Sequence, residues 1–279
     1  MIVLSEVILL SEDRAFEAVK KKIYDTRGLD TRQYKDSYIK RRLATRMRAT
    51  GVESYGEYLG VLNRNAEEFN PLLNALTINV TEFFRNPETY EAIEDVLKEL
   101  ILEKEKKGRN LIRIWSAGCS SGEEPYSIAI LLSEILKDRL NDFNISIHAT
   151  DVDNAILERA KAGEYKIETF KNIKKLYLTK YFTREEDSYI VKNDVKRFIK
   201  FKRHDLISEK KLGLFDAVLC RNVVIYFSKD LQERLYMHFY NSLVAGGYFI
   251  MGKTETLLGE AQSKFKPVNK SERIYQKPM

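Results

Sequence analysis

Residues 113–132 read RIWSAGCSSGEEPYSIAILL: a short apolar run, a turn of small residues, two glutamates and an apolar helix. In an open parallel sheet, ligands bind beyond the carboxyl ends of the strands, and the first strand-to-helix turn brings backbone closest to them. Ser116, Ala117, Gly118, Ser120, Ser121 and Gly122 leave room for that approach. Helix N-termini ordinarily attract phosphate, but Glu123 and Glu124 would repel a pyrophosphate here. The spacing also fits neither GxGxxG nor a P-loop. An acidic turn suits a ligand with positive charge, hydroxyls and no phosphate. S-adenosylmethionine, with its sulfonium, α-ammonium and ribose, meets that description. Asp151, in HATDVD, stands where dinucleotide sheets place the acid that accepts from ribose hydroxyls. Taken singly, Glu123 and Glu124 also favour a helix N-terminus, and Asp151 or Asp153 also caps the following helix. Together, in correct strand context, they favour the cofactor.

The elements that must position these groups fall into two regions. Up to about residue 76 the pattern is helical, with Ile39, Leu43 and Met47 recurring every four residues before the stop at Gly51. From about residue 110, strands LIRIW, ISIHATDVD, FDAVLC and GGYFIMGK alternate with helices PYSIAILLSEILKDRL, NAILERAKAGEY and KDLQERLYMHFYNSL. That alternation predicts βαβ units and a parallel sheet covered on both faces. YIVKN and RFIKFKRHD read as short strands of a small β insertion at about residues 165–205. The expected divisions are a helical domain at 1–76, a linker and helix carrying NVTEFFR at 77–109, and an α/β domain at 110–279.

Composition narrows the classes. The 279 residues are 44% hydrophobic, enough for a full core. MIVLSEVILLSEDR has no basic leader, and its apolar part falls short of the roughly 20 residues of a membrane span, so it reads as a first helix, with no membrane insertion expected. Two cysteines about a hundred residues apart indicate no disulfide framework and favour a reducing cytoplasm. The three histidines lack ligand spacing, so no metal is expected. Residues 14–48 hold twelve Lys/Arg against four Asp/Glu, a local excess larger than the net +6 of the whole chain. The basic character therefore belongs to one face or subdomain.

Four strings, INVTEFFRN (78–86), SAGCSSGEEPYSIAILL (116–132), ATDVDNAILERAKAGEY (149–165) and FDAVLCRNVVIYFSKDLQERL (215–235), resemble the chemotaxis receptor methyltransferases, the CheR family. The likeness runs in order from the basic helices to GGYFIMGKTE. A generic methyltransferase sheet would share only the small-residue turn and Asp151. The resemblance implies an α/β fold: a Rossmann-like S-adenosylmethionine-dependent methyltransferase sheet with an N-terminal all-helical domain and a small antiparallel β insertion. It implies a cytoplasmic enzyme that methylates glutamate side chains of chemoreceptors, leaving S-adenosylhomocysteine. By residue match, Asn79, Thr81, Arg85, Ala117, Gly118, Glu124, Asp151, Arg221 and Asn222 resemble the family's cofactor-binding residues. Asp205 and Leu206 stand in the place of its adenine-side Asn-Leu pair, with Asp for Asn as a departure.

The chemistry agrees with that reading. Methyl transfer to a carboxylate is an in-line displacement at a sulfonium carbon, and a glutamate of reference pKa about 4.3 is already ionised at neutral pH. No general base is required, and alignment in attack geometry is able to supply roughly 7–11 kcal/mol. Arg85, permanently charged and bidentate, is the candidate holder of the carboxylate; Tyr226 is the candidate orienting group from the other side. Arg42, Arg46 and Arg48 lie off the Ile39–Leu43–Met47 stripe, and in the family this basic helix is expected to face the acidic methylation helices of receptors. Some members also grip a receptor's C-terminal pentapeptide through glycine-rich turns of the β insertion. The segment TREEDSYIVKNDVKRF has no glycine, which predicts weak or absent tether binding. Two other classes compete: a nucleic-acid methyltransferase using the basic patch, and a non-catalytic cofactor-binding module. Amino-group methylases usually carry [DN]-P-P-[YF], and this chain has no Pro-Pro.

Overall fold

The computed structural model describes residues 2–77, 81–207 and 211–279, with side chains from residue 11 onward. They fall into a helical unit, residues up to 77 together with Tyr226–Ser228, and an α/β unit.

Four helices make the first unit: α1 (Ile2–Arg27), α2 (Asp36–Thr50), α3 (Tyr55–Arg64) and α4 (Phe69–Leu76). Gly51, at φ 71°, ends α2 in the left-handed conformation that glycine adopts without strain. Ser54 and Glu57 start α3 as a capping box, each side chain satisfying a backbone N–H of the other's residue. Phe16, Val19, Ile23, Ile39, Leu43, Tyr58 and Leu72 form the core.

Arg46, expected to lie free on the basic helix, is turned inward. Its Nε and Nη2 donate to Glu68 at 2.9 and 2.8 Å, and the Tyr58 hydroxyl donates to the same carboxylate at 2.8 Å. The reason is helical period: positions 42 and 46 lie three residues from 39 and 43, so they border the buried stripe. Arg42 accordingly lies over the Tyr38 ring at 5.4 Å, while Arg48 is exposed.

The α/β unit opens with a turn that carries the 81–86 stretch into a helix. Phe84 and Asn86 have φ of 53° and 62°, and Pro87 then begins α5 (Pro87–Lys106) with its ring-fixed φ. Phe83, Phe84, Ile93, Leu97 and Leu100 belong to the α/β core, so this stretch is integral to the domain. The chain continues through β1 (Leu111–Ala117), α6 (Glu123–Leu136), β2 (Asn144–Asp151) and α7 (Asn154–Ala162). Next come β3 (Glu164–Lys166), α8 (Lys175–Tyr181), β4 (Phe182–Arg184), β5 (Ser188–Val191), α9 (Asn193–Lys196) and β6 (Ile199–Arg203). It closes with β7 (Phe215–Cys220), α10 (Lys229–Asn241), β8 (Leu243–Met251), α11 (Ala261–Lys264), β9 (Lys266–Asn269) and β10 (Ile274–Gln276).

The main sheet has the order β6-β2-β1-β7-β8-β10-β9, with β10 antiparallel to both its neighbours. The other four pairings are parallel. Strand order therefore reverses at β1, with β2 on one side and β7 on the other, and the crevice of an open sheet lies at such a switch point. Ile112, Ile114, Ile145 and Ile147 line the core on one face, with side chains from α5 and α6. On the other, Trp115 packs against Phe239 and His238 of α10 at 5.5 and 5.9 Å.

The β insertion is smaller than expected. β3, β5 and β4 form a separate antiparallel sheet, but IKFKR supplies β6, which pairs in parallel with β2 through Ile147↔Ile199 and His148↔Lys200. Ile199 and Phe201 pack against the main core, and that burial decides the pairing. No helix of the described residues is long and apolar enough to cross a membrane.

Removing the Arg46 guanidinium leaves Glu68 buried without its cation, so Arg46→Ala should cost about 3 kcal/mol in denaturant unfolding. The Glu68 carboxyl is desolvated, yet Arg46 and the Tyr58 hydroxyl hold it below its ordinary 4.5. A depressed carboxylate stabilises fully above the unfolded value and loses that contribution as pH falls through the folded one. The wild-type advantage over Arg46→Ala should accordingly be complete above pH 4.5 and shrink below it.

Candidate cofactor site

The turn after β1 closes onto the end of β2. Gly118 and Cys119 both donate their N–H groups to the Thr150 carbonyl, at 2.8 and 2.9 Å. Asp151 accepts from the Ser120 N–H at 2.9 Å and from the Asp153 N–H at 3.1 Å. The cap of α7 is Asp153, whose Oδ1 accepts from Ala155 and Ile156. Sequence left the two aspartates interchangeable as caps; the structure divides them, leaving Asp151 to tie two strand ends together. Burial pushes the Asp151 carboxyl above its ordinary range, against the pull of those backbone N–H groups.

The adjacent glutamates differ in the same way. Glu123 is buried and accepts from the Ser121 hydroxyl. Glu124 retains a little exposure, accepts from the Ser116 hydroxyl at 2.8 Å, and meets Arg221 Nη1 at 3.4 Å. Burial raises the Glu124 carboxyl; the cations of Arg221 and Arg85 and the Ser116 hydroxyl oppose that rise. Arg221 does more than neutralise it. Its Nη2 donates to the Arg85 carbonyl at 2.8 Å and to Asn86 Oδ1 at 3.3 Å, and the guanidinium stands 5.3 Å from the Tyr90 ring centroid.

Arg85 is half-buried at the end of a loop fixed by its aromatic neighbours. Phe83 stacks on Phe170 at 4.8 Å and meets Tyr165 and Phe182 edge-on. The Phe83 N–H donates to the Thr169 carbonyl and the Phe84 N–H to the Ser127 hydroxyl of α6, at 3.1 and 3.0 Å.

The third wall is the turn after β7. Asn222 has φ 60°, and Val223 lies so close to the first turn that a Cβ on Gly118 would meet Val223 Cγ2 at 2.5 Å. Gly118 is itself at φ 74°, so glycine is required there twice over. Arg221 Nε, a donor, and Asn222 Oδ1, an acceptor, are buried without a hydrogen-bond partner in the described protein. Glu255, which sequence reasoning missed, accepts from the N–H groups of Asn222, Val223 and Gly252. No local pattern separates it from a surface acid, because two of these donors lie about thirty residues upstream.

Ala117, Gly118, Glu124, Asp151, Arg221, Asn222 and Arg85 thus converge on the carboxyl ends of β1, β2 and β7. The His204 N–H donates to the Asp151 carbonyl at 2.9 Å, which sets Asp205 and Leu206 immediately beyond Asp151. Asp205 accepts from the Ile207 N–H. Thr81 is half-buried at the start of the aromatic loop. Asn79 lies outside the described residues. Tyr226 is grouped with the helical unit, its ring 4.6 Å from Tyr38 and its carbonyl accepting from the Lys35 N–H. Among the described residues no group of three His, Cys, Asp or Glu is placed to hold a metal ion.

Comparison with known proteins follows this division. Residues 14–77 match the family model described as CheR methyltransferase, all-alpha domain, and residues 79–274 the one described as CheR methyltransferase, SAM binding domain. A chemotaxis protein methyltransferase of Listeria innocua is 34% identical over 242 residues, covering 87% of this chain and 90% of the relative. One from Salmonella typhimurium is 32% identical over 255 residues, 88% of this chain and 85% of its own. One from Escherichia coli is 31% identical over 260 residues, 90% and 87% respectively.

Gly118→Ala combines left-handed strain with a clash against Val223. It should destabilise the chain by about 3 kcal/mol in denaturant unfolding, whereas Gly56→Ala, at an open exposed position, should not.

Proposed function

This chain belongs to the CheR methyltransferase family, and on that premise we propose that it moves the methyl group of S-adenosylmethionine onto glutamate side chains of chemoreceptors, forming γ-methyl esters. The observation that carries the cofactor half is the acidic, phosphate-excluding cradle: Glu124, at the start of α6, accepts from Ser116 of β1, and Asp151, ending the adjacent strand β2, accepts from Ser120 of the turn between β1 and α6. The donor set fits the cofactor. The acceptor Asn222 Oδ1 and the donor Arg221 Nε, buried without protein partners, suit the α-ammonium and α-carboxylate of a methionine moiety. Asp151 suits the ribose hydroxyls, and Asp205 and Leu206 the adenine side. When bound, the cofactor supplies an electrophilic methyl group on a sulfonium.

The protein's own contribution is positioning. Glutamate is ionised at neutral pH, so no residue has to remove a proton. Arg85 holds the incoming carboxylate by charge-assisted hydrogen bonds, its loop being fixed by Phe83 and Phe84 and its carbonyl by Arg221. Arg48, with Arg42 at the border of the helix's buried stripe, contributes positive charge toward acidic receptor helices in the cytoplasm; Arg46 is left out of that role by its pairing with Glu68. The turn between β4 and β5 has no glycine, so a tethering pentapeptide is not expected to bind tightly.

Transfer of labelled methyl to receptor-containing membranes, compared with bulk RNA and DNA, tests the substrate class. Carboxyl esters release methanol in alkali and methylated amines do not. Base-labile label in the membrane fraction is expected, and stable label in nucleic acid would overturn the reading. Arg85→Ala should fold yet lose turnover about 100- to 1,000-fold, the scale for removing a preorganised electrostatic group. Retained turnover would remove Arg85 from the mechanism.

A further inference from the structure

Glu255 is only 3% exposed, and its carboxylate is spent entirely on backbone. Oε2 accepts from the Asn222 N–H at 3.2 Å and from the Gly252 N–H; Oε1 accepts from the Val223 N–H at 3.1 Å, and the Val224 N–H also bonds to the group. Among the described residues no cation pairs with it. A buried carboxylate without a counter-ion is costly unless its lone pairs are filled by donors. Here the donors are consecutive amides of one turn, 222–224, together with the amide that ends β8.

That turn needs such an anchor. Asn222 sits at φ 60°, in the left-handed region that asparagine tolerates better than other residues with a Cβ but that its surroundings must still hold. Its N–H and those of the next two residues point into the protein, outside any helix or strand ladder. Gly252 is shaped for the contact: a Cβ there would stand 2.8 Å from both the Asn222 nitrogen and Glu255 Oε2. The same turn carries Asn222 Oδ1 toward no protein partner and presses Val223 against Gly118, so its position sets the gap between the first and third walls of the cradle.

We propose that Glu255 is a positioning residue for the cofactor: its carboxylate bolts the 222–224 turn to the end of β8 and so sets where Asn222 and Val223 meet the ligand. It touches no ligand atom itself. The inference rests on the cofactor reading above, because a turn held in place matters to binding only if the cofactor lies beside it. Glutamine would keep the size but put an NH2 among amide donors, and aspartate would fall one methylene short. Neither variant reproduces the anchor.

The test uses the full-length chain, with S-adenosylhomocysteine as the probe in calorimetry and labelled methyl transfer as the assay. Glu255→Gln should raise the dissociation constant about 10- to 100-fold, the scale for losing hydrogen bonds to a charged group. The KM for the receptor substrate should stay unchanged, which a general loosening of the domain would not allow. Wild-type affinity in a folded Glu255→Gln chain would overturn the proposal. If that variant fails to fold, amide hydrogen exchange of the wild type decides: slow exchange at 222–224 supports the anchor, and exchange as fast as in an exposed loop overturns it. A wild-type chain that binds no S-adenosylhomocysteine would instead sink the cofactor reading, an outcome distinct from wild-type binding that Glu255→Gln leaves intact.

Discussion

A buried cation organises this site. Arg221, 7% exposed, ends the β7 strand where the sheet order reverses, and a guanidinium withdrawn from water must find acceptors for its hydrogens. It finds them in two segments far apart in sequence: Glu124 at the start of α6, and the loop ahead of α5, through the Arg85 carbonyl and the Asn86 side chain. Each of those segments carries a group assigned to the ligand. Satisfying one charge therefore brings the acidic turn and the Arg85 loop to the same strand ends, while the face of Tyr90 supplies a surface that tolerates the cation.

Around that bridge the backbone departs from regular geometry in an ordered way. Phe84, Asn86, Ser120 and Asn222 all have positive φ without being glycine, and each lies in a loop that borders the cradle. Such residues persist only where the surroundings over-determine them. The restraints are visible: aromatic packing and two N–H contacts for the 83–86 loop, Asp151 for Ser120, and Glu255 for Asn222. Desolvation raises the carboxyls at 123, 124, 151 and 255 above their ordinary range, yet each rise is opposed by hydroxyl, amide or guanidinium donors. The site is a lattice of acids held by backbone and neutral donors, consistent with positioning as the main chemical task.

The helical unit follows different rules. Its buried charges are paired locally within the unit, Glu68 with Arg46 and the Tyr58 hydroxyl and Lys20 with Glu17 and Asp36, and the remaining basic residues of α2 are left at or beyond the border of the apolar stripe. Its start and stop signals are local, a capping box at Ser54 and a left-handed glycine at Gly51. The segment Tyr226–Ser228 groups with this unit although it follows the β7 turn by a few residues, with Tyr34 and Phe227 forming an isolated bridge.

Sequence alone determined what depends on neighbours along the chain. The alternation of strands and helices, the small-residue turn after LIRIW, the acid at the end of β2 and the helix caps all rest on periodicity or on contacts within a few residues, and all are legible there. So was the family, because four ordered strings carry it. What sequence did not decide are choices settled by burial between distant segments. IKFKR pairs with β2 because Ile199 and Phe201 find the main core; Arg46 turns inward because Glu68 waits across the helical unit. Asp151 and Asp153 read alike until one meets the Ser120 amide, and Glu255 reads as a surface acid until the amides of residues 222–224 arrive. Local pattern determines which elements form; only tertiary structure brings a buried charge to its donors, and that pairing decides which acid or cation serves the fold and which serves the ligand.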